Sequence, residues 1–305
     1  MNSIPVVTIV ICHRGGTKDM LAVCVDSIKR HTTEIGYSLM FVVRDPEEEV
    51  SAYQTAMNVY HDSDVRVDVC QVDCPDDTRV HGHMLDQVLP EQVDTDYVMT
   101  LDSDCFPVAD GWMGRLLHEL TEGATCSGIL HPWAPPPERM SKKKIEWRVR
   151  SQHCWETTHV ACQLMRTCDV ERLMKEGASY GGGDDTGLLF PLIAKANGEH
   201  CSGFRVTRCP RPSKKNFDAE FNRYVCLVYG DMVYHQGGHT RVALGDDPVF
   251  GKNFGHAAER VIRENGAEWL LDDANSYLFS LDREEEVAAE KMQRLFGMVN
   301  QRMDG

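Results

Sequence analysis

DYVMTLDSDCFP, residues 96–107, carries an apolar run into two aspartates one residue apart, Asp102 and Asp104, and then returns to apolar CFP. The run DYVMTLD (96–102) is predicted as a strand, so both carboxylates fall where that strand passes into a loop. Working outward, VVTIVIC (6–12), YSLMFVVRD (37–45) and VRVDVCQVD (65–73) read as three earlier strands, and the continuous apolar character of VVTIVIC suits buried parallel pairing. Between them MLAVCVDSIKRH, PEEEVSAYQTAMNVY and HGHMLDQVLPEQ carry helical spacing, the second with acids in its first turn, where the helix dipole favours them. Strands alternating with helices imply βαβ crossovers, a mostly parallel central sheet flanked by helices, and ligands at the carboxyl ends of its strands. LDSDC sits at such an end.

The second half is less regular. DGWMGRLLHEL reads as a helix, ATCSGIL and HVACQLMRT (159–167) as strands, and DVERLMKEG as a helix. HPWAPPPERMSKKKIEWRVRSQ, rich in proline and charge, is predicted as a long loop or lid. SYGGGDDTG is expected to open the helix LLFPLIAKANG, its acids being either a cap, Asp184 or Asp185, or part of a site, and YVCLVYGDMVYHQGGHTR (224–241) holds at least one strand and then a glycine-rich turn. From about Gly255 the chain is predicted helical, and Val287, Ala288, Met292, Leu295, Phe296 and Val299 share one face. That face either packs on the back of the domain or makes a homodimer.

Composition narrows the class. The chain has 305 residues, 42% hydrophobic and 26% charged, a size for one large α/β domain or two small ones. No run approaches the roughly 18 apolar residues of a membrane span, and VVTIVIC has no basic residue before it, so a soluble protein without a signal peptide is expected. Twelve cysteines without a CxxC pair fit a reducing, cytoplasmic setting better than a disulfide framework. His153-Cys154 and His200-Cys201 lack a partner pair at finger spacing, so a structural zinc is not expected. A formal net charge of -15 argues against general binding to nucleic acid or anionic membranes.

Two carboxylates two positions apart repel unless they face solvent or share a cation. A solvent-facing loop pair is common for aspartate but sits poorly between VMTL and CFP. A phosphatase of the haloacid type also places DxD after a strand, yet its motif continues differently from Cys105-Phe106 and follows the first strand. The third reading is a divalent ion, Mg2+ or Mn2+, held by one or two carboxylates plus substrate phosphates.

In order and spacing, VVTIVICHRG, a helix containing DSIKR, a strand ending VVRD, a further helix and then DYVMTLDSDCFPVADGW resemble the GT-A fold glycosyltransferases, most closely the inverting family 2 type. The resemblance spans residues 5–240. It implies a GT-A catalytic domain over 1–240, with a nucleotide-binding half (1–105) and an acceptor half (106–240), followed by a helical extension over 241–305. It further implies that Cys12, His13, Arg14 and Gly15 lie against the base and ribose of a nucleotide-sugar donor, although the family commonly has Pro or Thr where Cys12 and His13 stand. Asp45 would accept from base or ribose, its alternative role being a turn residue before Pro46. Asp104 would be a direct metal ligand, Asp102 a metal or ribose partner, and Ser103 part of the donor-binding turn.

In GGGDDTG (181–187) the resemblance implies a general base, Asp185 or else Asp184, within reach of the acceptor hydroxyl. In YHQGGHTR, His235 or His239 would complete the metal shell, and Arg241 would offset charge on the leaving diphosphate. The implied activity is metal-dependent transfer from a nucleotide sugar, a UDP-sugar, to a hydroxyl acceptor, which could be a glycan, a protein or a modified nucleic acid. A nucleotidyltransferase making nucleotide sugars and a glycan-binding domain without chemistry are the alternatives. SKKKIEWRVR (141–150) and FRVTRCPRPSKKNF (204–217) are solvated loops or a grip for an anionic acceptor, and Trp133, Trp147 and Trp155 are candidates for stacking on a sugar.

Overall fold

A computed structural model of the chain describes residues 6–13, 18–74, 80–133, 155–182, 186–208 and 227–235. Its first half alternates strand and helix: β1 (Val7–Cys12), α1 (Lys18–His31), β2 (Tyr37–Val43), α2 (Pro46–Tyr60), β3 (Val67–Gln71), α3 (Val80–Val88) and β4 (Tyr97–Asp102). These four strands run parallel, with β1 between β2 and β4 and with β3 outside β2. All seven residues of β2 are buried, as are the first five of β1, which explains why their sequences are apolar without alternation.

Successive side chains in these strands supply two different cores, as a period of two requires. Ile9, Ile11, Leu39, Phe41, Met99 and Leu101 pack with α1 and α2 through Leu21, Val25, Ile28, Ala52 and Ala56. On the opposite face Val10, Met40, Val42 and Val98 pack with Met84, Leu85 and Val88 of α3. The result is a sheet with helices on both sides, the mixed α/β arrangement expected from the sequence.

After β4 the chain makes a short turn into β5 (Cys105–Pro107), then forms α4 (Trp112–Thr121), β6 (Cys126–Trp133) and β7 (Trp155–Arg166). β7 lies antiparallel between β4 and β6. α5 (Thr167–Lys175) and α6 (Leu189–Ala196) follow, and β8 (Cys201–Phe204) adds to β6 in parallel to complete seven strands, ordered β3-β2-β1-β4-β7-β6-β8. A second sheet, β5-β11-β10-β9, uses β9 (Val206–Arg208), β10 (Leu227–Tyr229) and β11 (Val233–His235), all paired antiparallel.

One sequence expectation is corrected here. The helix after GGGDDTG begins at Leu189, with Leu188 at its N-cap and no side-chain capping bond, so neither Asp184 nor Asp185 caps it. Apolar Leu188 can hold that position because the helix buries Phe190, Pro191 and Ala194 against the sheet, and packing outweighs a missing cap. The helix expected beyond Gly255 lies outside the described residues, as does 134–152 of the expected lid, whose first three residues, 131–133, are not loop but the end of β6, paired with β7. Among the described residues, no helix is long and apolar enough to cross a membrane.

Candidate functional site

β2 and β3 lie on one side of β1, and the chain then returns to place β4 on the other side. The carboxyl ends of β1 and β4 are therefore the point where strand order reverses, the place where open α/β sheets form a ligand crevice. Cys12 and Asp102 are direct register partners at those ends.

LDSDCFP is the crossing between the two sheets. Leu101 and Asp102 end β4, Ser103 and Asp104 form the turn, and Cys105 to Pro107 make β5. The turn is well covered, Ser103 being 8% and Asp104 7% exposed. Helix α1 pins it from below: the Cys24 thiol donates to the carbonyl of Cys105 at 3.3 Å, with the carbonyl of Asp102 at 3.9 Å, and the Ser27 hydroxyl donates to the carbonyl of Pro107.

β11 then brings a histidine to this turn. It pairs with β5 so that His235 stands opposite Cys105 and Tyr234 opposite Phe106, whose rings meet at 5.0 Å. His235 Nε2 lies 3.8 Å from Asp104 Oδ1. Asp102, Asp104 and His235 each offer one ligand atom, and those atoms lie within 4.8 Å of one another. Asp102 Oδ1 is shielded from solvent and accepts no hydrogen bond among the described residues. His81 Nε2 comes within 3.4 Å of it, at ion-pair distance without hydrogen-bond alignment.

Burial pushes the Cys24 thiol well up, helped by the Asp104 and Asp102 carboxylates; burial also raises Cys12, helped by Asp102 and Cys74, and Cys105, helped first by Cys162 and then by the two carboxylates. These groups stay as neutral S–H beside the turn, leaving carboxylate oxygen and imidazole nitrogen as the donor set.

The other sequence candidates divide by location. His13 follows β1, is 0% exposed, and donates its backbone N–H to Val42 at 2.9 Å. Asp45 is exposed at the N-cap of α2, after β2, where Glu48 accepts from the backbone N–H of Arg44 at 3.1 Å and of Asp45 at 3.4 Å. Trp133 and Trp155 are backbone register partners in the β6–β7 pair. Arg14, Gly15, Asp184, Asp185, His239, Arg241 and Trp147 lie outside the described residues, as does 209–217 of the second basic stretch.

Sequence reasoning missed two histidines. His81 belongs to α3, whose HGH opening was read only as helix. His159, in β7, stacks on His235 with ring centroids 5.6 Å apart and accepts the Ala161 N–H on Nδ1 at 3.1 Å. That bond leaves Nε2 as the protonated nitrogen of the neutral ring.

No family model and no curated protein matches this chain. Among solved structures it is similar to a mannosyltransferase from Pyrobaculum calidifontis in complex with GDP-Man and Mn2+, with 12% identity, a TM-score of 0.46, and coverage of 99% of this chain and 84% of that one. It is also similar to glucosyl-3-phosphoglycerate synthase from Mycobacterium tuberculosis in complex with Mn2+, UDP and phosphoglyceric acid, at 14% identity and TM-score 0.44, covering 66% and 68%. A third is 4-diphosphocytidyl-2C-methyl-D-erythritol synthase from Anaerococcus prevotii, at 11% identity and TM-score 0.42, covering 66% and 89%. Likenesses this distant carry no functional weight by themselves.

Proposed function

We propose that this chain is a metal-dependent glycosyltransferase of the GT-A kind, which moves a sugar from a nucleotide-sugar donor, a UDP-sugar, to a hydroxyl acceptor with inversion at the anomeric carbon. The observation that carries this reading is the meeting of Asp102, Asp104 and His235 beside the ends of β1 and β4. The donor set fits a divalent cation: carboxylates suit Mg2+ or Mn2+, imidazole suits Mn2+, and a shielded carboxylate oxygen without a hydrogen bond needs a positive partner. When bound there, the ion would neutralise charge on the donor diphosphate.

The chain's own residues have the following roles in this reading. Asp104 and His235 hold the ion, Asp102 holds it or the ribose, and Ser103 shapes the turn between them. Cys12, His13, Arg14, Gly15 and Asp45 line the nucleotide. Asp185, or Asp184 in its place, takes the proton from the acceptor hydroxyl as that oxygen attacks the anomeric carbon. The bond to the diphosphate breaks in the same step, with Arg241 near the departing charge, and His239 is the alternative to His235 in the metal shell. Residues 1–105 would serve the nucleotide and 106–240 the acceptor, with 241–305 as an extension.

The test is nucleoside diphosphate release by purified protein given Mn2+, a panel of nucleotide sugars and mixed hydroxyl acceptors. Metal-dependent release from at least one donor is expected, with an inverted anomeric centre in the product by NMR. No release from any donor overturns the reading, as does release of pyrophosphate from a nucleoside triphosphate and a sugar phosphate.

A further inference from the structure

β7 is irregular where it passes the site. Thr158 pairs with Leu130 and Gln163 with Gly128, so His159 to Cys162 stand against Ile129 alone. A bulge of this kind frees backbone groups from the ladder and re-aims side chains. The freed groups are met locally. Thr100 of β4 donates its hydroxyl to the carbonyl of Val160 at 2.7 Å, and the Ala161 N–H goes to His159 Nδ1 at 3.1 Å. The bulge also lies close on β6, since a Cβ at Gly128 would stand 2.0 Å from the Cys162 carbonyl oxygen.

The consequence is the placement of His159. Its ring is held by the bond to its own bulge, and it lies against the His235 ring with centroids 5.6 Å apart and planes tilted by 37°. β7 belongs to the seven-stranded sheet and β11 to the small one, so the two imidazoles meet where the sheets come together. His235 needs such a neighbour. Its backbone is set from both sides, by Cys105 of β5 and Leu227 of β10. Strand pairing does not determine the second side-chain torsion of a histidine, which is broad by nature. Rotation about it would carry Nε2 away from Asp104 Oδ1, from which it lies 3.8 Å.

We infer that His159 is a positioning residue for His235: its ring holds the imidazole in the plane from which Nε2 faces Asp104, so the large sheet helps to set a ligand carried by the small one. This rests on the metal-binding reading above. His159 is not among the side chains whose ligand atoms meet within 4.8 Å, so it acts through His235 and not as a further ligand. Outer partners of metal ligands are typically worth about 10- to 100-fold in metal affinity.

Calorimetric titration of Mn2+ into His159→Asn, His235→Ala and the double variant tests it. Asparagine keeps an acceptor for the Ala161 N–H and removes the ring. His159→Asn should weaken Mn2+ binding by about 10-fold, with the melting temperature of the metal-free protein unaltered. In the His235→Ala background the same substitution should cost nothing further, because the ring it positions is gone. Unchanged affinity in His159→Asn overturns the inference. So does a loss that repeats in the double variant or that accompanies a fall in melting temperature, which would mark His159 as structural. If the unaltered protein binds no Mn2+, the metal reading fails on its own. NMR relaxation at the His235 ring of the metal-free protein then still decides the contact: a more mobile ring in His159→Asn upholds it, and equal mobility overturns it.

Discussion

His235 lies 3.8 Å from Asp104, held there by strand pairing between β5 and β11. The two donors come from distant parts of the chain but from adjacent strands, so each should be needed for the ion. Asp104→Asn is expected to weaken Mn2+ binding by more than the ~10- to 100-fold typical of losing an outer partner of a metal ligand. His235→Ala should weaken it less, because the carboxylates remain. Calorimetric titration of Mn2+ into each variant checks this order, and equal affinities across the three proteins would refute it.

His13 is buried beside the end of β1, and burial lowers its pKa from 6.5 against an opposing pull from Glu48. The unfolded chain then binds the extra proton first as pH falls. The stability this group contributes is complete above about pH 6.5 and declines as pH drops through that value toward the lower native pKa, by at most ~1.4 kcal/mol per pH unit. Thermal melts at pH 7.5 and 5.5 should show a smaller difference for His13→Gln than for the unaltered protein. An identical difference would rule the effect out.

Two glycines should respond in opposite directions. Gly203 has φ +140° and faces Gly128 in the β6–β8 pair, where a Cβ would stand 1.9 Å from the Gly128 carbonyl oxygen. Gly203→Ala should destabilise by roughly 2–4 kcal/mol, combining backbone strain with overpacking. Gly114 lies inside α4, with its nearest neighbours 3.8 Å away, so Gly114→Ala should stabilise by up to ~1 kcal/mol. Denaturant unfolding of both variants measures the two signs.

Among the described cysteines, Cys168 is exposed while Cys24 and Cys105 are buried and held as thiols. Iodoacetamide at pH 7.5 should therefore modify Cys168 well before Cys24 or Cys105 in native protein, and all three in urea. Peptide mass spectrometry reads the order, and early labelling of Cys105 would mean the DSD turn opens readily.

The large sheet was legible where burial on both faces removes alternation. YSLMFVV and DYVMTLD announce strands within two residues of their observed bounds because no charged residue, proline or glycine interrupts them. The place of Asp102 and Asp104 at a strand end followed from the same runs. The small sheet was less legible, since strands of three residues such as β5 and β9 are too short to show a period. Helix α6 was read as LLFPLIAKANG and begins one residue later, at Leu189, where its apolar face rather than a side-chain cap holds it. The service of α3 to the site was hidden because His81 meets Asp102 only after the sheet has formed.

The DSD turn has a consequence for how the site is completed during synthesis. A chain that stopped before Leu227 would already contain every strand of the seven-stranded sheet, yet β10 and β11 would be missing and His235 with them. β5 would then present an open edge beside Asp104, and the cation site would lack its nitrogen donor. On the metal-binding reading proposed above, cation affinity would report chain completion: nascent or C-terminally clipped forms could build the crevice at the ends of β1 and β4 and still lack the histidine that completes the donor set.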